Sequence, residues 1–251
     1  MTSRQALTES YRILSPYSDP QKWEYDNNLF HLDFITKRIS RSDRIIDLGC
    51  GIGILALALK LMDYDVTGQD RFVFESSTTF TVIDIEGLKK VWRDNNLTVT
   101  SGDVHQAQSP NSLFDVVVSI AVIEHQNDLG SFMDGILRYV ENGGMIYIAT
   151  PNATNLLNRF RVLFGRAPLG NIRQFFEDGS RFTGHWREYT LDELKLIADL
   201  SGLEIVEAGN KQTQKQQMNG NWRKWHRQIA RLCGAIIPGC GDTNYLWLRR
   251  D

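Results

Sequence analysis

The chain has 251 residues, 42% of them hydrophobic and 23% charged, with 28 basic against 30 acidic side chains for a formal net charge of −2. These proportions exclude a disordered chain and an integral membrane protein, and the even charge balance gives no global basic field for DNA and disfavours RNA. The three cysteines, Cys50, Cys233 and Cys240, lack zinc-finger spacing, and the opening MTSRQALTES has no apolar leader core, so a reduced, cytoplasmic, single-domain protein is expected over residues 1–251.

After a polar lead-in, Phe30, Phe34, Ile35 and Ile39 recur at roughly helical spacing and predict a helix within Trp23–Ile39. Arg44–Leu48 reads as a strand, the glycines after it as a turn, and Ile54–Met62 as a buried helix. Tyr64–Gly68 predicts a second strand, Ile85–Asn95 a polar helix and Leu97–Thr100 a third strand. Phe114–Ile120 is a continuous apolar run of the kind a central parallel strand needs, since helices cover both of its faces. Leu129, Phe132, Met133, Ile136, Leu137 and Val140 mark an amphipathic helix that Gly143 and Gly144 should end, and Met145–Thr150 follows as a fifth strand. Thr190 and Glu193 form a capping box for the helix Leu191–Leu200, and Leu203–Gly209 and Thr243–Arg250 supply the last strands. Strands alternating with helices predict an α/β fold, doubly wound around a mostly parallel seven-stranded sheet with helices on both faces. Residues 155–183 and 211–242 fit no α/β unit and read as a helical cap on a core spanning about residues 23–152.

The segment IIDLGCGIG sets Asp47 at a strand end, ahead of Gly49, Cys50, Gly51 and Gly53. Glycines in a strand-to-helix turn accept positive φ and let the backbone approach a ligand that a Cβ would keep away. A dinucleotide fingerprint needs a third glycine at position 54, where Ile54 stands, and this argues against nicotinamide and flavin cofactors. Asp70, followed by Arg71, lies about 20 residues on, where a carboxylate can accept both hydroxyls of a ribose.

DLGCGIG resembles the first motif of class I S-adenosylmethionine-dependent methyltransferases. The resemblance implies that Asp47 holds the methionine end of S-adenosyl-L-methionine, that Asp103 accepts the adenine amino group with the Val104 backbone beside the ring, and that Ser119 and Ile120 border the cofactor at the fourth strand. SIAVIEHQND, Thr150-Pro151-Asn152 and His185-Trp186-Arg187-Glu188-Tyr189-Thr190 further resemble the ubiquinone-biosynthesis O-methyltransferase-like branch, over roughly Trp23 to Gly209. Oxygen is the acceptor atom by that resemblance, with a small molecule or glycan precursor as acceptor. A non-catalytic cofactor-binding or partner-binding module is the alternative.

Glu124 and His125 stand past the fourth strand, where open α/β sheets bind ligands, and an imidazole near neutral pKa suits a base that deprotonates a hydroxyl. His125 also reads as a loop-shaping residue, and His185 as a second base or a structural hydrogen-bonding group. Some relatives hold a divalent cation through Glu-x-x-Glu-His, but Ala121 occupies the first glutamate position, so no metal ligands are expected. Leu156, Leu157, Phe160, Leu163 and Phe164 share a helical face near Arg159, Arg161 and Arg166. A second basic and aromatic stretch runs from Trp222 to Ile236. Such helices pack onto the domain, rest on an anionic membrane surface where a lipid-linked acceptor would lie, or grip an anionic acceptor such as a phosphorylated or carboxylated glycan precursor. Oligomeric state is left open.

Overall fold

The computed structural model describes residues 1–18, 24–72, 83–106, 112–168, 172–179, 182–213 and 238–251. Seven strands form one sheet: β1 (Arg44–Leu48), β2 (Asp65–Asp70), β3 (Thr98–Ser101), β4 (Phe114–Ile120), β5 (Val140–Pro151), β6 (Leu203–Lys211) and β7 (Thr243–Arg250). Their spatial order is β3-β2-β1-β4-β5-β7-β6. The first five run parallel, and β7 lies antiparallel between β5 and β6. Winding reverses between β1 and β4, so a crevice opens beyond the carboxyl ends of these strands, where doubly wound sheets take their ligands.

Period-two alternation sends successive residues of the central strands to opposite faces. Val116, Val118, Tyr147 and Trp247 enter a core with α2 (Tyr25–Thr36), α3 (Ile54–Leu61) and α4 (Ile85–Asp94). Val117, Ile146, Ile148, Leu246 and Leu248 enter a second core with α5 (Leu129–Leu137) and α8 (Leu191–Leu200). Each fully buried aliphatic side chain there is worth ~1.5–3 kcal/mol. Among these, α4 is amphipathic rather than polar throughout, with Leu88, Val91 and Trp92 buried.

Two expectations are corrected. The polar lead-in contains α1 (Ser3–Leu14), started by a capping box between Thr2 and Gln5, with Ala6, Leu7, Ser10 and Leu14 buried. Its buried face packs on α3, and the Ser10 hydroxyl donates to the Ile54 carbonyl at 2.7 Å. Val140 belongs to β5, not to the preceding helix, which stops at Leu137. Gly143 and Gly144 therefore lie within the strand, at a bulge between the pairs Phe114–Val140 and Val116–Met145. A Cβ at 144 would press on Val140 and the Asp115 carbonyl, which makes glycine necessary there for packing, not for helix capping.

Residues 155–183 carry two helices, α6 (Leu156–Leu163) and α7 (Ile172–Asp178). The basic and aromatic stretch from Trp222 to Ile236 lies outside the described residues, as does Cys233. Among the described residues no helix is long and apolar enough to cross a membrane.

Candidate active site

The turn after β1 is shaped by backbone geometry. Gly49, Gly51 and Gly53 have φ of +81°, +55° and +86°, the left-handed region that other residues enter only at a cost. A Cβ at 49 would overlap Val122, and one at 53 would come to 3.2 Å from the Trp92 indole nitrogen, whereas one at 51 would meet nothing within 4 Å. The crest of the turn is thus open while its two feet are pinned. The Gly49 and Cys50 amides both donate to the Gln69 carbonyl, at 2.7 and 3.2 Å, and the Gly51 amide donates to Asp70 Oδ2 at 2.8 Å.

Asp70 Oδ1 also accepts the Phe72 amide at 2.7 Å, so one carboxylate joins the turn after β1 to the end of β2. Asp103 Oδ1 accepts the His105 amide at 3.0 Å, and its Oδ2 lies 3.3 Å from Arg71 Nη1. Val104 begins a 3₁₀ turn over 104–106 with its side chain in the second core. Ser119 is buried at the end of β4, its hydroxyl without a partner among the described residues, and Ile120 is half-buried beside it.

Burial, and then the charge of Asp70, push the Asp47 carboxyl up to about 7. A cationic ligand at this place would return the charge that burial removes. Burial, reinforced by Asp47 and Asp70, also raises the Cys50 thiol, whose sulfur packs over Gly68. A raised thiol pKa lowers the thiolate fraction of Cys50 and with it its nucleophilicity.

The edge beyond β4 is assembled from distant sequence. A 3₁₀ turn over Ile123–His125 follows β4, entered through Ala121, which has φ of +55°. Glu124 is fully buried; its Oε2 accepts the Thr150 hydroxyl at 2.8 Å, and its Oε1 has no partner among the described residues. His125 Nδ1 donates to the carbonyls of Thr183 and Gly184 at 2.8 and 3.1 Å, so in the neutral tautomer the lone pair is on Nε2. His185 Nδ1 lies 3.2 Å from Glu188 Oε1, and the two imidazole rings meet edge to face at 4.8 Å. Burial pulls the His185 pKa down, but the Glu188 hydrogen bond and the charges of Glu124 and Glu188 together raise it. The Trp186 amide donates to the Glu124 carbonyl at 2.8 Å, and Trp186 forms an aromatic trio with Phe175 and Phe182 that ties α7 to the loop carrying His185.

The structure gathers the sequence candidates into two groups. Asp47, Gly49, Cys50, Gly51, Gly53, Asp70, Arg71, Asp103 and Val104 lie along the ends of β1–β3 and the loop after β3, with Ser119 and Ile120 at the end of β4. Glu124, His125 and His185 form a cluster in which one ligand-capable atom from each lies within 4.8 Å of the others. Sequence reasoning missed Thr150 as the partner of Glu124, and Val122 as the residue that fixes Gly49. It also missed Gln126, whose Oε1 meets His105 Nε2 at 2.6 Å and so links the loops after β3 and β4. Thr150 was already visible in Thr-Pro-Asn at a strand end, but nothing local says what its hydroxyl meets.

The family described as a methyltransferase domain matches residues 24–208. Similar curated proteins include the ubiquinone biosynthesis O-methyltransferase of Rickettsia prowazekii (strain Madrid E), 26% identical over 199 residues, with 77% of this chain and 76% of the relative covered. That of Rhizobium leguminosarum bv. trifolii (strain WSM2304) is 32% identical over 166 residues, covering 65% of this chain and 60% of the relative. Among solved structures, Haemonchus contortus phosphoethanolamine N-methyltransferase 2 in complex with S-adenosyl-L-methionine has a TM-score of 0.57 at 16% identity, covering 98% of this chain and 57% of that one. A chain of the complex between the Haloferax volcanii Trm112 methyltransferase activator and the putative methyltransferase reaches 0.60 at 14% identity, covering 99% and 97%. At these identities the structural likeness speaks for the fold. With a family match over most of its length and a glycine turn of the kind expected for the sulfonium cofactor, the chain belongs to the class I S-adenosylmethionine-dependent methyltransferases, in the ubiquinone-biosynthesis O-methyltransferase-like branch.

Proposed function

We propose that the chain transfers the methyl group of S-adenosyl-L-methionine to a hydroxyl oxygen of a small-molecule or glycan-precursor acceptor. The observation that carries this reading is the Glu124–His125–His185 cluster at the carboxyl end of β4, beside the cofactor loops. Asp47 would pair with the cofactor's ammonium, Asp70 with its ribose diol, and Asp103 and Val104 with its adenine. The sulfonium methyl is already electrophilic, so the protein's work is to align the acceptor and exclude water. The acceptor oxygen attacks the methyl carbon as the carbon–sulfur bond breaks. The hydroxyl proton passes to His125 Nε2, the lone-pair nitrogen left by the Nδ1 contacts, with His185 as its neighbour. A methyl-transfer screen with labelled cofactor across phenols, nucleotide sugars, lipid-linked glycans and RNA tests the reading. Label on an oxygen of the first three classes supports it, and label confined to nitrogen, carbon or RNA rejects it.

A second element of the reading concerns where the acceptor resides. Leu163, Phe164, Ile172 and Phe176 are 74%, 75%, 76% and 86% exposed on α6, α7 and their junction, instead of packing on the domain. Arg161, Arg166 and Arg173 are exposed around them, with Arg161 donating to the Pro168 carbonyl at 2.9 Å and Arg173 3.9 Å from Glu177, and Arg159 is held by the carbonyls of Thr154, Pro238 and Gly239. Aromatic and aliphatic tips ringed by guanidinium groups complement an anionic lipid surface. The acceptor is then lipid-linked or membrane-dissolved. Co-sedimentation with phosphatidylglycerol vesicles, lost in the double variant Phe164→Ser, Phe176→Ser, is the expected result. No sedimentation of the unaltered chain would remove the membrane from the proposal.

A further inference from the structure

The turn that carries Glu124 and His125 is gripped from two sides by loops that also face the cofactor crevice. On one side Val122, which enters the turn, fills the space that a side chain at Gly49 would need. On the other side stands Gln126, whose amide closes the turn on the Ile123 carbonyl at 3.1 Å. Its side chain reaches across to the loop after β3. Gln126 Nε2 donates to the Val122 carbonyl at 2.8 Å, which leaves Oε1 to accept from His105 Nε2 at 2.6 Å. His105 is fixed in turn by Asp103, whose Oδ1 accepts the His105 amide at 3.0 Å, while Oδ2 meets the half-exposed Arg71 guanidinium at 3.3 Å. An unbroken run of polar contacts therefore leads from the Asp103 carboxylate to the turn after β4.

We propose that His105 and Gln126 are positioning residues that transmit occupancy of the adenine subsite to the turn bearing Glu124 and His125, so that the chain takes its cofactor before its acceptor. An adenine amino group at Asp103 Oδ2 fixes the carboxylate whose other oxygen anchors the His105 amide. With its backbone anchored, His105 holds the Gln126 side chain, and Gln126 holds Val122 at the start of the turn. Order that the cofactor imposes on this turn is order that the acceptor no longer has to impose, which makes the two ligands bind cooperatively without a large change of shape. The coupling is equal in both directions and falls in the usual range of about 5–150-fold. The inference rests on the proposed function for adenine at Asp103 and for the acceptor beside His125.

The test uses the full chain and S-adenosyl-L-homocysteine, which the cofactor becomes once its methyl group has left, with no acceptor present. NMR follows exchange of the His125 and Gln126 amides, which donate to the Val122 and Ile123 carbonyls inside the turn and so report its opening. Saturating S-adenosyl-L-homocysteine should slow both amides about 10-fold or more in the unaltered chain, and less than about 3-fold in Gln126→Leu and in His105→Ala. Calorimetry should find the affinity of Gln126→Leu for S-adenosyl-L-homocysteine within about 3-fold of the unaltered chain, and circular dichroism reports the fold of each variant. His105→Gln restores an N–H donor toward Gln126 and should regain most of the slowing, a rescue that loss of packing alone does not produce. No slowing in the unaltered chain, slowing just as large in a folded Gln126→Leu, or no rescue by His105→Gln overturns the bridge. Methyl transfer to nitrogen or carbon would reject the proposed function and leave the bridge standing, because the exchange measurement contains no acceptor. Loss of the bridge, conversely, leaves transfer to oxygen untouched.

Discussion

The two edges of the crevice are built on different principles. Along β1–β3 the geometry is local: three positive-φ glycines and one aspartate fix a turn whose partners sit within about 20 residues. Along β4 and β5 it is long-range: His125 is positioned by carbonyls 58 and 59 positions away, and Glu124 by Thr150 on the neighbouring strand. Gly49 touches both systems, because Val122 of the acceptor edge occupies the space its side chain would need. If the proposed roles hold, a cofactor site of backbone turns tolerates little change in chain conformation, whereas an acceptor site held by loops can change specificity without disturbing the donor.

That contrast can be broken most sharply at His125. His125→Ala should lower the methyl-transfer rate by about 10²–10⁴-fold while leaving cofactor affinity within a few-fold, read by single-turnover kinetics and calorimetry. Full activity in this variant would return His125 to loop shaping. Asp70→Ala attacks the other edge, removing the acceptor of the Gly51 and Phe72 amides as well as the proposed ribose ligand. Cofactor affinity should fall ~100-fold by calorimetry, and an unchanged affinity would end that role.

How much of this was legible in sequence follows the same divide. Asp47, Gly49 and Asp70 could be placed because a strand, a glycine turn and a second strand state their geometry within one short stretch. His185 could be named but not located, since only the folded chain shows it against His125, with Glu188 behind it. The helix α1 was legible after all, since Thr2 and Gln5 spell a capping box and Ala6, Leu7, Ser10 and Leu14 share one face; what the sequence withholds is that this face packs on α3. The glycines at 143 and 144 were misjudged because a bulge and a helix stop use the same residue type.

Smaller effects sharpen the comparison further. The Asp47 carboxyl sits at about 7 in the folded, cofactor-free chain, above its unfolded value near 4. Between these values the native state binds more protons than the unfolded state, so this group's contribution makes the apo protein less stable as pH rises through the window. The cofactor's ammonium favours the ionised form, so affinity should instead rise with pH across the same window, by up to about 10-fold per unit. Equal affinities by calorimetry at about pH 5.5 and 7.5 would separate Asp47 from the cofactor. At the acceptor edge, Thr150→Val leaves the buried Glu124 carboxylate without its hydroxyl donor and should cost ~1–3 kcal/mol, seen as a lowered midpoint in thermal unfolding. An unchanged midpoint would mean that the carboxylate is satisfied in another way.

The antiparallel strand between β5 and β6 governs the order in which the molecule can be completed. Among the described strands β6 pairs with β7 alone, so Leu203–Lys211 leaves the ribosome as an unpaired edge and must wait for Thr243–Arg250 to be made. At about 5–20 residues per second that delay lasts seconds, far longer than hairpin formation or collapse. Glu204 and Glu207 on β6 keep that waiting edge charged, and they later meet Arg249 and Arg38 in the finished sheet.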